Sequence, residues 1–152
     1  MLERCITARD AIKMADELTK KYGWNDAGEC LTIADPKEVW HFEIVGPGKG
    51  KVGAVWAAQR VPDDHIAVNA NASTIKFIDL KDKDHFMASD NIYSVAKENG
   101  WISGDENHFQ FCYAYALKAA SQLLPAVANG ACLISLLRHY TLIPTTKIIP
   151  SQ

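Results

Sequence analysis

Residues 30–45 read CLTIADPKEVWHFEIV, and they contain two apolar, β-rich runs separated by a short polar break. The runs are Cys30–Ala34 and Val39–Val45, and both have the length of an ordinary strand. The break begins with Asp35-Pro36, a dipeptide that favours a tight turn. This stretch therefore predicts a β-hairpin.

An amphipathic helix is predicted immediately before the hairpin. Thr7 is followed three residues later by Asp10, a variant of the capping box that starts many helices. Apolar residues then recur at helical spacing until Gly23, namely Ala8, Ala11, Ile12, Ala15, Leu18 and Tyr22. Residues 7–22 are therefore predicted to form one helix.

The remaining pattern adds two strands and a second helix. An apolar run over Val52–Gln59 predicts the third strand, and Ile66–Asn69 predicts a short fourth one. A second helix is expected to start at Ser89 or Asp90 and to end at Gly100. The order indicates an α+β domain in which helices cover one face of an antiparallel sheet.

Composition narrows the class of protein. A chain of 152 residues with 48% hydrophobic residues can close one core. The formal charge of -2 gives no positive field that would attract a nucleic acid. The charged start of the chain lacks the apolar core of a secretory signal. The cysteines form no C-x-x-C pair. Together these observations lead us to expect a cytoplasmic location.

The apolar stretch from residue 114 to residue 137 raises the question of a membrane span. Pro125 and Gly130 interrupt this stretch, and Gln122, Asn129 and Ser135 lie within it. A membrane-spanning helix needs about 20 predominantly apolar residues, so we expect no membrane interaction here.

A glycine-rich segment, GPGKGK at residues 46–51, offers backbone N–H groups and lysines as a phosphate loop does. A phosphate loop stands between a strand and a helix, whereas this segment is followed by the predicted strand at Val52. The segment is therefore predicted to be a hairpin loop, and no cofactor is expected.

The charged loop at residues 79–85 is a second candidate ligand site. Asp79, Asp82, Asp84 and His85 could bind a metal ion, which would make the protein a metal-dependent enzyme. The interleaved lysines at positions 81 and 83 would repel that ion, so a solvated loop without metal is favoured.

Cysteine nucleophiles need a neighbouring base and an oxyanion pocket. The linear sequence shows neither for Cys30, Cys112 or Cys132. All three are therefore predicted to be small buried apolar residues.

Many short stretches, in one order, resemble the cysteine dipeptidases of the N-terminal-nucleophile hydrolase superfamily, the family of dipeptidase A and the secernins. The matching stretches are TARDAI at 7–12, GE at 28–29, IADPKEVW at 33–40, EIVG at 43–46, GAVWAAQRVPD at 53–63 and VNAN at 68–71. The resemblance extends over about residues 7–115.

The resemblance implies a four-layer αββα fold, in which two stacked antiparallel sheets hold the site between them. Here it implies a partial sandwich over residues 1–116, followed by a divergent apolar tail over residues 117–152. It also implies hydrolysis of dipeptides by an N-terminal cysteine whose own α-amino group is the base, without metal or cofactor.

One catalytic residue follows from the resemblance. Asn71 aligns with the asparagine of the family's His-Ala-Asn stretch, and its amide would donate a hydrogen bond to the oxyanion. Asn69 stands where the family commonly has histidine. The alternative is that Asn71 closes a turn, because residues 69–73 are rich in turn-forming residues.

Four other residues of the matching motifs are assigned structural roles. Asp35 fits a turn, Glu38 and Arg60 fit strand ends, and Trp40 fits a core position. None of the four is predicted to be catalytic.

The resemblance places the family's nucleophile upstream of the helix that begins at Thr7. We therefore expect part of a dipeptidase, which is inactive alone. Truncation or a frameshift of the gene would produce such a chain, and so would a gene that is split into two chains. Cleavage after Arg4 would expose Cys5 as a remote candidate nucleophile. Cys5 would open a helix, however, where the superfamily needs a strand.

A different class of function stays open. The chain could be a non-catalytic binding or assembly module that pairs an exposed sheet edge with another chain. The expected partners are a dipeptide in the complete enzyme and either a complementing N-terminal half or a second copy.

Overall fold

The residues that the structure describes include one antiparallel sheet, with a helix before its first strand and another after its last strand in the sequence. The computed structural model describes residues 3–68, 73–102 and 109–115. Its elements are α1 (Ala8–Tyr22), β1 (Gly28–Ala34), β2 (Val39–Val45), β3 (Val55–Val61), β4 (Phe86–Ala88) and α2 (Ile92–Glu98). The sheet order is β1-β2-β3-β4, which confirms the α+β class.

Helix α1 begins and ends as its sequence predicts. The Thr7 hydroxyl accepts a hydrogen bond of 3.1 Å from the Asp10 N–H, which satisfies one of the donors exposed at a helix start. Gly23 ends the helix with a φ of 80°, a conformation that other residues adopt only at a cost. The predicted helix is confirmed.

The hairpin of β1 and β2 is also confirmed. The Asp35 Oδ1 atom accepts hydrogen bonds from the N–H groups of Lys37 and Glu38, at 2.7 and 2.9 Å, and so stabilises the turn. The strands pair in continuous register from Ala34 opposite Val39 to Gly28 opposite Val45.

The predicted fourth strand is wrong. Ile66 and Val68 lie outside any strand and are 76% and 79% exposed, while Asn69 lies outside the described residues. The edge of β3 is instead covered by β4, with Ala57 opposite Ala88. Because β4 has only three residues, it leaves no alternating pattern in the sequence.

The third strand begins later than predicted. Gly53 has a φ of 126°, which is incompatible with extended strand geometry, and Val52 is 76% exposed. The strand therefore starts at Val55 and runs on to Val61. Residues 46–51 form the loop between β2 and β3, as predicted.

The start of α2 also differs from the prediction. Asn91 is the N-terminal flanking residue, and its side chain donates to the Ala54 carbonyl oxygen at 3.0 Å rather than capping the helix. The Ser89 hydroxyl accepts from the Trp56 N–H at 3.1 Å, so it extends the sheet and is not free to cap.

The two faces of the sheet carry separate cores. On one face, Trp40, Phe42 and Trp56 are among the β-residues that pack against α1. On the other face, the β-residues Val45, Val55 and Ala57 pack with Ile75, α2 and residues 109–115. Helices therefore cover both faces, so the predicted cover of one face is wrong. The reason is that successive strand residues point to opposite sides and both sets are apolar.

Two predictions about the architecture stay predictions. The described residues contain one sheet, so the second sheet of an αββα sandwich is untested. The tail over residues 117–152 lies outside the described residues. Within the described ranges, no helix is long and apolar enough to cross a membrane.

The β1–β2 turn fixes helix α1 to the sheet. The Asp35 Oδ2 atom accepts the Ala8 N–H at 2.8 Å, and Glu38 accepts the Arg9 Nε–H at 2.9 and 3.0 Å. Glu38 also accepts the indole N–H of Trp40 at 3.0 Å. These three carboxylate contacts join the turn, the start of α1 and the core.

Arg9 extends this network to the charged loop. Its guanidinium donates to the carbonyl oxygens of Lys83 and Asp84, at 2.8 and 3.1 Å. The ion pair with Arg9 lowers the pKa of Glu38 below its usual range. The hydrogen bond from the Ala8 N–H likewise lowers the pKa of Asp35.

Replacing Arg9 by alanine is expected to destabilise the fold. The Arg9→Ala variant removes charge-assisted hydrogen bonds to Glu38 and two carbonyl contacts, so the free energy of unfolding should fall by about 1–2 kcal/mol. Urea denaturation at neutral pH measures this loss. The exposed Arg4 gives the matched control, since Arg4→Ala should change stability by less than about 0.5 kcal/mol. Equal stability of the two variants would contradict this role for Arg9.

The same network predicts loss of stability in acid. Glu38 has a lower pKa in the folded chain than its ordinary value of 4.5. Its contribution is therefore complete above about pH 4.5 and is lost as pH falls through the folded pKa. Stability should decrease below this pH in the wild type, and the decrease should be shallower in Glu38→Gln. Glu29→Gln, at an exposed position on β1, should retain the wild-type slope in urea denaturation at each pH.

Candidate functional site

Polar side chains gather on the face of the sheet opposite α1. Register places Cys30 opposite Glu43 and Thr32 opposite His41 on the paired strands β1 and β2. Because alternate residues of a strand share a face, all four side chains lie on one side. The intervening residues of β2, Trp40 and Phe42 among them, point to the α1 core.

Glu43 is the buried centre of this polar face. Its exposure is only 1%, and one carboxylate oxygen, Oε1, accepts hydrogen bonds from the N–H groups of Thr74 and Ile75 at 2.6 and 3.0 Å. The Thr74 hydroxyl donates to the same oxygen at 3.0 Å. The Ser73 hydroxyl donates to the other oxygen, Oε2. Glu43 therefore anchors residues 73–75 to the sheet.

His41 completes the arrangement around the carboxylate. Its Nε2 atom lies 2.8 Å from Glu43 Oε1 and 3.2 Å from the Thr74 hydroxyl oxygen. Burial raises the pKa of Glu43, but the hydrogen bonds from His41, Ser73 and Thr74 outweigh this effect and lower it overall. The carboxylate is therefore ionised at neutral pH.

A cleft opens beside His41. Its volume is about 490 Å³, and its walls include Thr32, His41, the β1–β2 turn and residues 61–63. Carboxylate, imidazole and hydroxyl groups next to an open cleft can bind a polar ligand and transfer protons.

The predicted oxyanion donor, Asn71, lies outside the described residues, as does Cys132. Asn71 stands two positions before Ser73 in the sequence, so one residue, Ala72, separates it from the segment that Glu43 anchors. Its catalytic role stays a prediction.

The other cysteines lie in different environments. Cys5 is half-buried, and its thiol donates to the Met14 sulfur at 3.7 Å. Met14 belongs to α1, which packs against the opposite face of the sheet from Glu43. Cys112 is buried, as predicted, and burial raises the pKa of its thiol from 9.0 to about 11. Cys30 is half-buried rather than fully buried, because it lies on the edge strand β1.

The charged loop of residues 79–85 forms local turns. Asp82 accepts from the ring Nδ1 of His85 at 2.9 Å, and Asp79 accepts from the Lys81 N–H at 2.9 Å. Asp84 and the other loop acids do not converge on a common point with two further ligands. The structure therefore gives no support to the metal-dependent alternative at this loop.

The four motif residues assigned to structure have structural partners. Asp35, Glu38 and Trp40 belong to the network at the start of α1, and Arg60 donates to Asp63 at 3.0 Å. The Arg60 Nε atom lies 3.7 Å from a Glu38 oxygen. These contacts give each residue a partner in the fold, and the non-catalytic roles stay predictions.

Sequence reasoning missed Glu43, His41, Ser73 and Thr74 as a group. One signal was present, because Glu43 interrupts the apolar run of β2 at a position that shares a face with Val45. An acidic residue on a buried strand face needs partners, but sequence alone does not show that they come from residues 73–75.

Comparison with known proteins agrees with the resemblance. The model of Peptidase family C69 matches residues 1–124. A probable dipeptidase from Latilactobacillus sakei is 36% identical over 93 residues, which cover 61% of this chain and 18% of that protein. No solved structure matches.

Two further relatives extend the comparison. A probable dipeptidase from Salmonella dublin is 31% identical over 112 residues, covering 72% of this chain and 24% of the relative. A probable dipeptidase B from Lactococcus lactis is 28% identical over 126 residues, covering 82% and 24%. The chain thus spans about a fifth to a quarter of the length of these relatives. Since the family model covers most of its residues, the chain belongs to Peptidase family C69, a family of cysteine dipeptidases.

Proposed function

We propose that this chain is part of a cysteine-type dipeptidase, in which it supplies the sheet and the oxyanion-stabilising segment but not the nucleophile. The observation that carries the proposal is the anchoring of residues 73–75 by Glu43. Asn71 lies two positions before Ser73, the first residue of that segment. A donor for an oxyanion must be held in place before the reaction, and a fixed segment provides this.

The environment of the described thiols supports the proposal that this chain does not supply the nucleophile. Cys112 is buried and its raised pKa keeps the thiol protonated at neutral pH, although the thiolate is the reactive form. Cys5 contacts α1 on the far side of the sheet from Glu43. Cys30 lies inside a strand, so it has no free α-amino group to act as its base.

In the proposed reaction, the terminal cysteine of the family attacks the peptide carbonyl of a dipeptide. The negative charge that develops on the carbonyl oxygen is stabilised by the Asn71 amide. The carbonyl then re-forms as the peptide C–N bond breaks, and the leaving amine takes the proton that the α-amino group removed from the thiol; water then hydrolyses the thioester. Glu43 does not touch the substrate in this scheme; it is a positioning residue that acts through residues 73–75.

The anchoring role of Glu43 predicts a local loss of order in a conservative variant. Glu43→Gln replaces an ionised acceptor by a neutral one, so the hydrogen bonds from Thr74 and Ile75 should weaken by about 1–2 kcal/mol in total. Amide hydrogen exchange of these two residues should accelerate correspondingly. Glu29→Gln is the matched control on the neighbouring strand, and unchanged exchange in Glu43→Gln would refute the anchor.

The activity itself is tested with dipeptides. The purified 152-residue chain is expected to show no turnover. Co-expression with the nucleophile-bearing segment of a relative should restore turnover, and Asn71→Ala in the restored enzyme should lower kcat by about 100- to 1,000-fold. Asn69→Ala is the control and should have a much smaller effect.

Two outcomes would contradict this proposal. Turnover by the chain alone that Cys5→Ala abolishes would make Cys5 the nucleophile. Full activity of Asn71→Ala after co-expression would remove Asn71 from the reaction.

A second candidate function is assembly through the sheet edge. Within the described residues, β1 is the first strand in the sheet order, next to β2. An end strand of a sheet can pair with a strand of another chain. Size-exclusion chromatography of the same preparation separates the candidates, because a cooperative, monomeric chain would exclude assembly as its main role.

A further inference from the structure

Three side chains with different metal-binding atoms converge on the polar face of the sheet. The ligand atoms of Cys30, His41 and Glu43, one from each residue, all lie within 4.8 Å of one another. Among the residues that the structure describes, this is the one group of three such side chains so placed. It is distinct from the loop of residues 79–85.

The strand geometry explains the convergence. His41 and Glu43 are two residues apart on β2 and therefore point to the same side. Cys30 lies directly opposite Glu43 on β1, where side chains of an antiparallel pair are close neighbours. A rigid hairpin thus holds all three ligands, which limits the cost of ordering them around an ion.

The ligand set selects the kind of ion. A thiolate, an imidazole and a carboxylate are the three ligand types of zinc, and three protein ligands with one open position are typical of sites that also bind water. Zinc bonds of about 2.0–2.3 Å imply ligand atoms roughly 3.5 Å apart. The three ligand atoms would therefore move about 1 Å closer together when zinc binds.

Charge favours a cation at the same place. Glu43 is ionised and buried, and among the described ion pairs its partner is His41. A divalent cation would compensate both the carboxylate charge and that of an ionised Cys30, because a coordinating thiol loses its proton.

The surrounding donors would orient the ligands. The Thr74 and Ile75 N–H groups hold the Glu43 carboxylate, and the Thr74 hydroxyl donates to it. Hydrogen bonds of this kind around a metal site fix ligand orientation. An ion would replace the direct contact between His41 and Glu43, while these bonds to Glu43 remain. The cleft lined by Thr32 and His41 gives access.

We propose that Cys30, His41 and Glu43 form a binding site for one zinc ion. The site does not depend on dipeptide hydrolysis by this chain. It stands on the ligand geometry, the buried carboxylate and the adjacent cleft.

The test uses the reduced, purified 152-residue chain. Zinc chloride is titrated in competition with a chromogenic chelator, and the expected result is one equivalent bound. Cys30→Ser removes a ligand and should weaken zinc binding at least tenfold, because losing even a residue that only orients a ligand costs about 10- to 100-fold in metal affinity. Cys5→Ser is the matched control, because it alters an equally half-buried thiol on the other side of the sheet.

Cobalt binding provides a second measurement. Its absorption band requires direct coordination by the Cys30 thiolate, which a purely structural role of Cys30 would not produce. Co²⁺ bound at this site should show a thiolate-to-cobalt charge-transfer band in the wild type and in Cys5→Ser, and none in Cys30→Ser. His41→Gln, checked for folding by circular dichroism, should weaken binding as Cys30→Ser does.

Absence of stoichiometric zinc binding would overturn the proposal. Unchanged zinc affinity in both Cys30→Ser and His41→Gln would also overturn it. A cobalt band that is lost in Cys5→Ser but kept in Cys30→Ser would do the same. Since none of these measurements uses a dipeptide, failure here and failure of the proposed peptidase role are distinguishable.

Discussion

The burial of the Glu43 carboxylate is the constraint on which the polar half of the structure depends. An ionised carboxylate at 1% exposure is tolerated only if hydrogen bonds replace the water it has lost. Ser73, Thr74 and Ile75 supply those bonds, and they lie about thirty residues further along the chain. Satisfying one charge therefore joins a distant segment to the centre of the sheet.

The sheet separates two groups of charged residues with different roles. On the α1 side, Asp35, Glu38 and Arg9 hold the helix start and the charged loop together. On the other side, His41 borders a cleft, and Glu43 lies buried beside His41. The division follows from strand geometry, since alternate residues of β2 point to opposite faces and neighbouring positions can serve unrelated purposes.

The same polar face supports both proposals, in different ways. In the dipeptidase role, Glu43 acts on the backbone of residues 73–75 and so on the segment that Asn71 precedes. In the zinc site, Glu43 acts through its carboxylate oxygen, and the backbone bonds become the support that orients it. One buried carboxylate can do both because it has two oxygens and several acceptor positions.

The sequence by itself determined α1, the β1–β2 hairpin, the α+β class and the family, since these depend on local periodicity, on turn residues such as Asp35 and on ordered short motifs. It failed for β4, whose three residues carry no pattern, and for the start of α2, where Asn91 and Ser89 bond to other segments instead of capping. Only the tertiary structure brought Cys30, His41, Glu43 and residues 73–75 together. The physical reason is that strand register and the partners of a buried charge depend on contacts between segments far apart in the chain, which no local pattern records.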